Sequence, residues 1–93
     1  MGHVELVSSL YRCIETVAKS EYHEALRKLL VGESSDELEE KINILKSFLE
    51  TMDFSKLRRE SEKYLLRGKR VQFIVYLDMG VTKYEMHEIP FYR

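Results

Sequence analysis

The run Val71-Gln72-Phe73-Ile74-Val75-Tyr76-Leu77 constrains the fold more than any other part of the chain. At the two-residue period of a strand it is apolar on both sides. Val71, Phe73, Val75 and Leu77 share one side, and Ile74 and Tyr76 share the other. A strand apolar on both faces belongs in the middle of a sheet. The segment after it alternates instead, with Tyr84 and Met86 on one side and Lys83, Glu85 and His87 on the other, as an edge strand does. Asp78-Met79-Gly80 joins the two into a hairpin over about 70–89. The expected loop has three residues with Gly80 left-handed, because a two-residue loop drives Met79 into positive φ. That loop sets Leu77 opposite Val81, Val75 opposite Lys83 and Ile74 opposite Tyr84. Pro90 cannot donate to a ladder and closes the region.

A lone hairpin is marginal in water, and everything before this one reads as helix. A first helix is expected over about 3–31. Leu6, Leu10, Cys13 and Val17 form one apolar stripe and Ala18, Tyr22, Ala25 and Leu29 a second, with Gly32 as the stop. Ser34 and Glu37 read as a capping box for a helix over about 35–52, whose seam is Leu38, Ile42, Leu45, Leu49 and Met52. Asp53 or Ser55 caps a third helix over about 54–67, with Phe54, Leu57, Ser61, Tyr64 and Leu65 inward. The fold class is therefore α+β: three helices and a carboxy-terminal two-stranded antiparallel hairpin, in a single domain spanning 1–93. The first hairpin strand lacks a second neighbour. A soluble chain must cover such an edge, and the simplest cover is the same strand of a second copy. The expected assembly is a homodimer through Val71, Phe73, Ile74, Val75, Tyr76 and Leu77, completing a four-stranded sheet.

Composition narrows the setting. Charged residues make up 33% of the chain, yet 15 basic and 16 acidic side chains nearly cancel. With one Asn (Asn43) and one Gln (Gln72), the pattern resembles a thermophile composition. Cys13 is the only cysteine, so no intramolecular disulfide forms and a reducing cytoplasm is the expected location. The segment MGHVELVSS has no apolar core of a signal peptide, and the apolar run Val71–Leu77 is far too short to span a bilayer, so no membrane partner is expected.

Chemistry is harder to find. His3, His23 and His87 are isolated, and no metal-ligand spacing exists. Glu85 and His87 share a strand face, but two ligands are too few. Cys13 reads as a buried small hydrophobe. Ser8-Ser9 and Ser34-Ser35 have no triad context, and the glycines form no phosphate loop. Neither catalysis nor a cofactor is expected. Tyr76, Tyr84, Phe91 and Tyr92 gather in the last third, as core, with a stacking or interface patch as second choice.

One stretch invites a partner. Lys56 to Arg70 holds seven basic and two acidic residues, whereas Glu33 to Asp53 holds seven acidic and two basic. Lys56, Arg59, Lys63 and Arg67 line the side of the third helix opposite its core, and Lys69 and Arg70 continue the run. These six are the candidate nucleic-acid contacts, weighed against an ordinary solvated helix face, which is the preferred reading. Helices followed by a hairpin, with a basic helix just before it, resemble the element order of a winged helix. The resemblance implies DNA binding through that helix. The leading expectation is a small non-catalytic interaction or regulatory module, homodimeric and open to a protein partner. Winged-helix-like DNA binding is the alternative.

Overall fold

The computed structural model describes residues 2–89; Pro90, Phe91 and Tyr92 lie outside the described residues. The order is β1 (Val4–Ser8), α1 (Ile14–Leu30), α2 (Asp36–Thr51), α3 (Phe54–Leu65), β2 (Arg70–Asp78) and β3 (Val81–Ile89). The α+β class, the three helices and the carboxy-terminal hairpin are all present.

The first helix is shorter than expected. Residues 4–8 are a strand, with Val4, Leu6 and Ser8 buried and Glu5 and Val7 outward. The stripe Leu6-Leu10-Cys13-Val17 therefore breaks up: Leu6 lies in β1, Leu10 in a turn, and Cys13 at the position just before α1. Only Val17 is a helix core residue. Val4-Glu5-Leu6-Val7-Ser8 also satisfies a two-residue period, and a short apolar segment does not by itself decide between the two. Tertiary pairing decides it. β1 runs antiparallel to β2, with Val4 opposite Val75, Leu6 opposite Phe73 and Ser8 opposite Val71.

The sheet order is β1-β2-β3, so β2 is central within one chain. Both of its edges are hydrogen-bonded to strands of the same molecule. The edge of β2 that was expected to meet a second copy is covered from Val71 to Val75 by β1 of the same chain. The six residues expected at a dimer interface divide instead between two faces. Val71, Phe73 and Val75 are fully buried against the helices, Leu77 flanks them on the same face, and Ile74 and Tyr76 point to the opposite side of the sheet, half-buried.

The hairpin also differs in register. Asp78 pairs with Val81, Leu77 with Thr82, Val75 with Tyr84 and Ile74 with Glu85. The loop is the two-residue Met79-Gly80, with φ of 54° and 81°. The core face explains why. This register sets Thr82, Tyr84 and Met86 beside Val71, Phe73, Val75 and Leu77; a slip of one residue turns Lys83, Glu85 and His87 inward. Burying that charged set costs more than one left-handed Met, which is about 1–2 kcal/mol. The strain is local, because the Met79 side chain is 98% exposed and touches nothing that matters to the core. Met79→Asn creates the Asn-Gly pair that such turns favour. It is expected to raise stability by about 0.5–1 kcal/mol, read as a higher urea midpoint at unchanged slope. A lower midpoint would mean that Met79 is not strained.

The helices pack on one face of the sheet. Ile14, Val17 and Ala18 of α1, Ile44, Leu45 and Phe48 of α2, and Leu57 of α3 meet Val4, Leu6, Val71, Phe73 and Val75. Phe48 and Phe54 pack edge to face, with ring centroids 5.3 Å apart, where α2 turns into α3. Ser35 caps α2, its Oγ accepting from the Leu38 amide at 3.1 Å, one residue later than the capping box expected from Ser34. Asp53 caps α3, accepting from the Ser55 and Lys56 amides. Gly32 and Gly68 end α1 and α3 with positive φ and paired amide bonds back into the last turn, a Schellman closure. Buried hydroxyls are served locally: Ser61 Oγ donates to the Leu57 carbonyl at 2.9 Å and Ser8 Oγ to the Val71 carbonyl at 3.4 Å. No described helix is long and apolar enough to cross a membrane.

Candidate functional site

The far face of the sheet is uncovered. Glu5 accepts from Gln72 Nε2 at 3.0 Å and lies 3.1 Å from His3 Nε2. Glu85 lies 3.2 Å from His87 Nε2. Among the described residues no group of three or more potential metal ligands occurs.

The outer face of α3 is different. Asp53 starts the helix, and Leu57, Ser61, Tyr64 and Leu65 hold its inner side against α1 and the sheet. Glu60, one of its two acidic residues, turns toward the sheet, where Tyr84 Oη donates to its Oε1 at 2.7 Å. Burial and that hydrogen bond push the Tyr84 hydroxyl up to about 12, so it stays a donor at neutral pH. The carboxylate is occupied and does not reach the helix's cations. Lys56, Arg58, Arg59, Lys63 and Arg67 are all exposed. Among the described residues, none of them has a carboxylate within salt-bridge distance. Elsewhere Arg12, Lys28, Lys46 and Arg70 are also without an ion pair among the described residues, and five cations have one. Lys19, Arg27, Lys41, Lys69 and Lys83 are each ion-paired. Lys63 sits 5.2 Å from the Tyr64 ring centroid, a cation–π contact that fixes its stem and leaves its charge outward.

Of the six candidate nucleic-acid contacts, the structure groups Lys56, Arg59, Lys63 and Arg67 on α3 and the turn after it. Arg70 is exposed at the first position of β2. Lys69 is tied to Glu88. Two further cations were hidden in the sequence. Arg58 is exposed on another side of α3, where it lines a small hollow with Cys13, Glu15 and Phe54. Arg12 is exposed in the turn before α1, a region read as mid-helix.

Cys13 is not buried in the core. It is partly exposed just before α1, with Sγ 3.2 Å from Thr16 Oγ1. Hydrogen bonding from the Thr16 side chain and backbone holds its thiol below the ordinary value.

The acidic segment gathers at the other end of the molecule. Asp36, Glu37, Glu39 and Glu40 open α2 next to Leu77, close to the hairpin turn. Their place follows from the helix dipole, which favours acids in a first turn. Lys28 and Lys41 lie among these acids, so that surface is of mixed charge.

No curated protein matches the chain, and no solved structure does. A protein-family model matches residues 4–83, from the first residue of β1 into β3, and the chain belongs to that family.

Proposed function

We propose that this protein is a small non-catalytic binding module whose working surface is the outer face of α3, where it meets the phosphates of a nucleic acid. The observation that carries this reading is the run of four unpaired cations on one helix face. Lys56, Arg59, Lys63 and Arg67 share that exposed face and have no carboxylate partner among the described residues. A helix face kept charged only for solubility gains from interspersed acids. This face keeps its one outward acid, Glu62, off its cations, and its other acid is held by Tyr84. These exposed cations can meet a phosphate without giving up an internal ion pair.

The mode differs from a winged helix. α2 and α3 meet only around their junction, so no compact pair of crossed helices presents α3 to a groove. The hairpin is held in the sheet by β1. Sequence-independent backbone contact is the form of binding that remains.

Mobility shift of a DNA fragment tests the reading. Binding is expected at low salt, with log K falling linearly against log salt. Arg59→Ala with Lys63→Ala is expected to weaken it on any sequence and to reduce the salt slope by about 2, roughly one per lost phosphate contact. Absence of binding at low salt ends the proposal.

A further inference from the structure

One end of the molecule combines cations with displayed apolar side chains. Between β1 and α1 the chain makes a tight turn, Ser9-Leu10-Tyr11-Arg12. The Ser9 amide donates to the Arg12 carbonyl at 2.9 Å and the Arg12 amide to the Ser9 carbonyl at 3.2 Å. These reciprocal bonds hold Leu10 and Tyr11 at the tip, and both side chains face solvent, at 57% and 92% exposure. Opposite them the chain leaves α3 through Gly68, whose φ is +77°, and enters β2 at Arg70. A hollow of about 320 Å³ lies between the two segments, lined by Ser9, Leu10, Tyr11, Gly68, Lys69 and Arg70. That volume falls at the small end of ligand sites. Its walls are mainly apolar and its rim carries Arg70, with Arg12 and Arg67 on the adjoining segments. Among the described residues, the acid ion-paired at this hollow is Glu88, which holds Lys69.

An aromatic ring with both faces wet, on a backbone pinned by its own hydrogen bonds, is a costly thing to display in a chain this small. It contributes nothing to the core. Ordered aromatics beside unpaired cations suit one chemistry in particular, a flat base joined to a phosphate. In a duplex the bases are stacked on one another and out of reach; in a single strand they are free to stack on a side chain. The hollow is continuous with the cation-bearing end of α3, since Arg67 and Gly68 are neighbours in the chain.

We infer that this hollow is a base-stacking subsite for single-stranded nucleic acid, with Tyr11 as the platform and Arg70 and Arg67 as phosphate contacts. The inference rests on the polyanion reading of α3 and adds to it the kind of strand that is taken.

Fluorescence anisotropy on a labelled single strand and on a duplex of equal length separates the two claims. The single strand is expected to bind more tightly. Tyr11→Ala is expected to weaken single-strand binding roughly tenfold while leaving the duplex unaffected, and Tyr11→Phe to retain it. The thermal midpoint should not move in either variant, because the side chain is almost wholly exposed. Equal affinity for the two forms, or an unchanged single-strand affinity in Tyr11→Ala, overturns the subsite. If Arg59→Ala with Lys63→Ala still weakens both forms, the α3 surface stands without it. If neither form binds, both readings fall. Tyr11-dependent displacement of the strand by poly-glutamate would assign the hollow to an acidic polypeptide and likewise overturn the nucleic-acid subsite.

Discussion

Phe73→Ala is expected to remove about 3–5 kcal/mol of stability, a large part of the roughly 5–14 kcal/mol that a chain this long possesses. The thermal midpoint should fall by roughly 15 °C or more. Phe73 is fully buried at the middle of the central strand, with Leu6 opposite on one side and Met86 on the other. Its ring centroid lies 5.8 Å from that of Tyr84. Helices cover it from above, so no side chain can swing in to refill the space. Ile74→Ala, one residue along, is the control. Ile74 points to the uncovered face, and its loss should cost about 1 kcal/mol. Thermal melts followed by circular dichroism compare the two. An Ile74 variant as damaged as the Phe73 variant would contradict the assignment of faces.

Leu6→Lys is expected to be at least as severe, with about 4 kcal/mol or more lost. Leu6 is 1% exposed, between β2 and α1. A lysine there buries a charge with no partner. Once β1 is displaced, the edge of β2 is open along Val71, Phe73 and Val75, and association of the damaged molecules should follow. Val7→Lys should change stability by less than about 1 kcal/mol, because Val7 lies on the uncovered face at 38% exposure. Equilibrium urea unfolding, with light scattering to detect association, distinguishes the pair. Two mild substitutions would show that β1 is dispensable to the sheet.

The central character of β2 was legible from its residues, because a two-sided apolar strand has only one comfortable position. So were the helix ends at Gly32 and Gly68 and the cap at Asp53, where local chemistry acts alone. The identity of the missing neighbour was not. Val4 to Ser8 is five residues long, and the spacing of four, three and four from Leu6 through Leu10 and Cys13 to Val17 mimics a helix face. What makes it a strand is a partner 63 positions away, as between Ser8 and Val71. The turn was misjudged for a related reason. Local backbone preference argued against Met79 at positive φ, while burial of Tyr84 and Met86 with Phe73 required it. Part of the candidate surface was readable too, since the three-four spacing of Lys56, Arg59, Lys63 and Arg67 survives on α3. Tyr11 was not, because a ring counted within a helix carries no sign that a turn will put it in water.

The pairing of β1 with β2 also dictates a history for each molecule. During synthesis β1 is made well before its partner, Ser8 preceding Val71 by 63 positions. At about 5–20 residues per second, β1 waits several seconds before β2 has been made. The helices close their local contacts within microseconds, so they are present as a loose cluster before any sheet exists. The three-stranded sheet closes only once β2 has been made and can pair with the waiting β1. Until then Val4–Ser8 and Val71–Leu77 are unpaired strands, and the chain is at its most vulnerable before they meet.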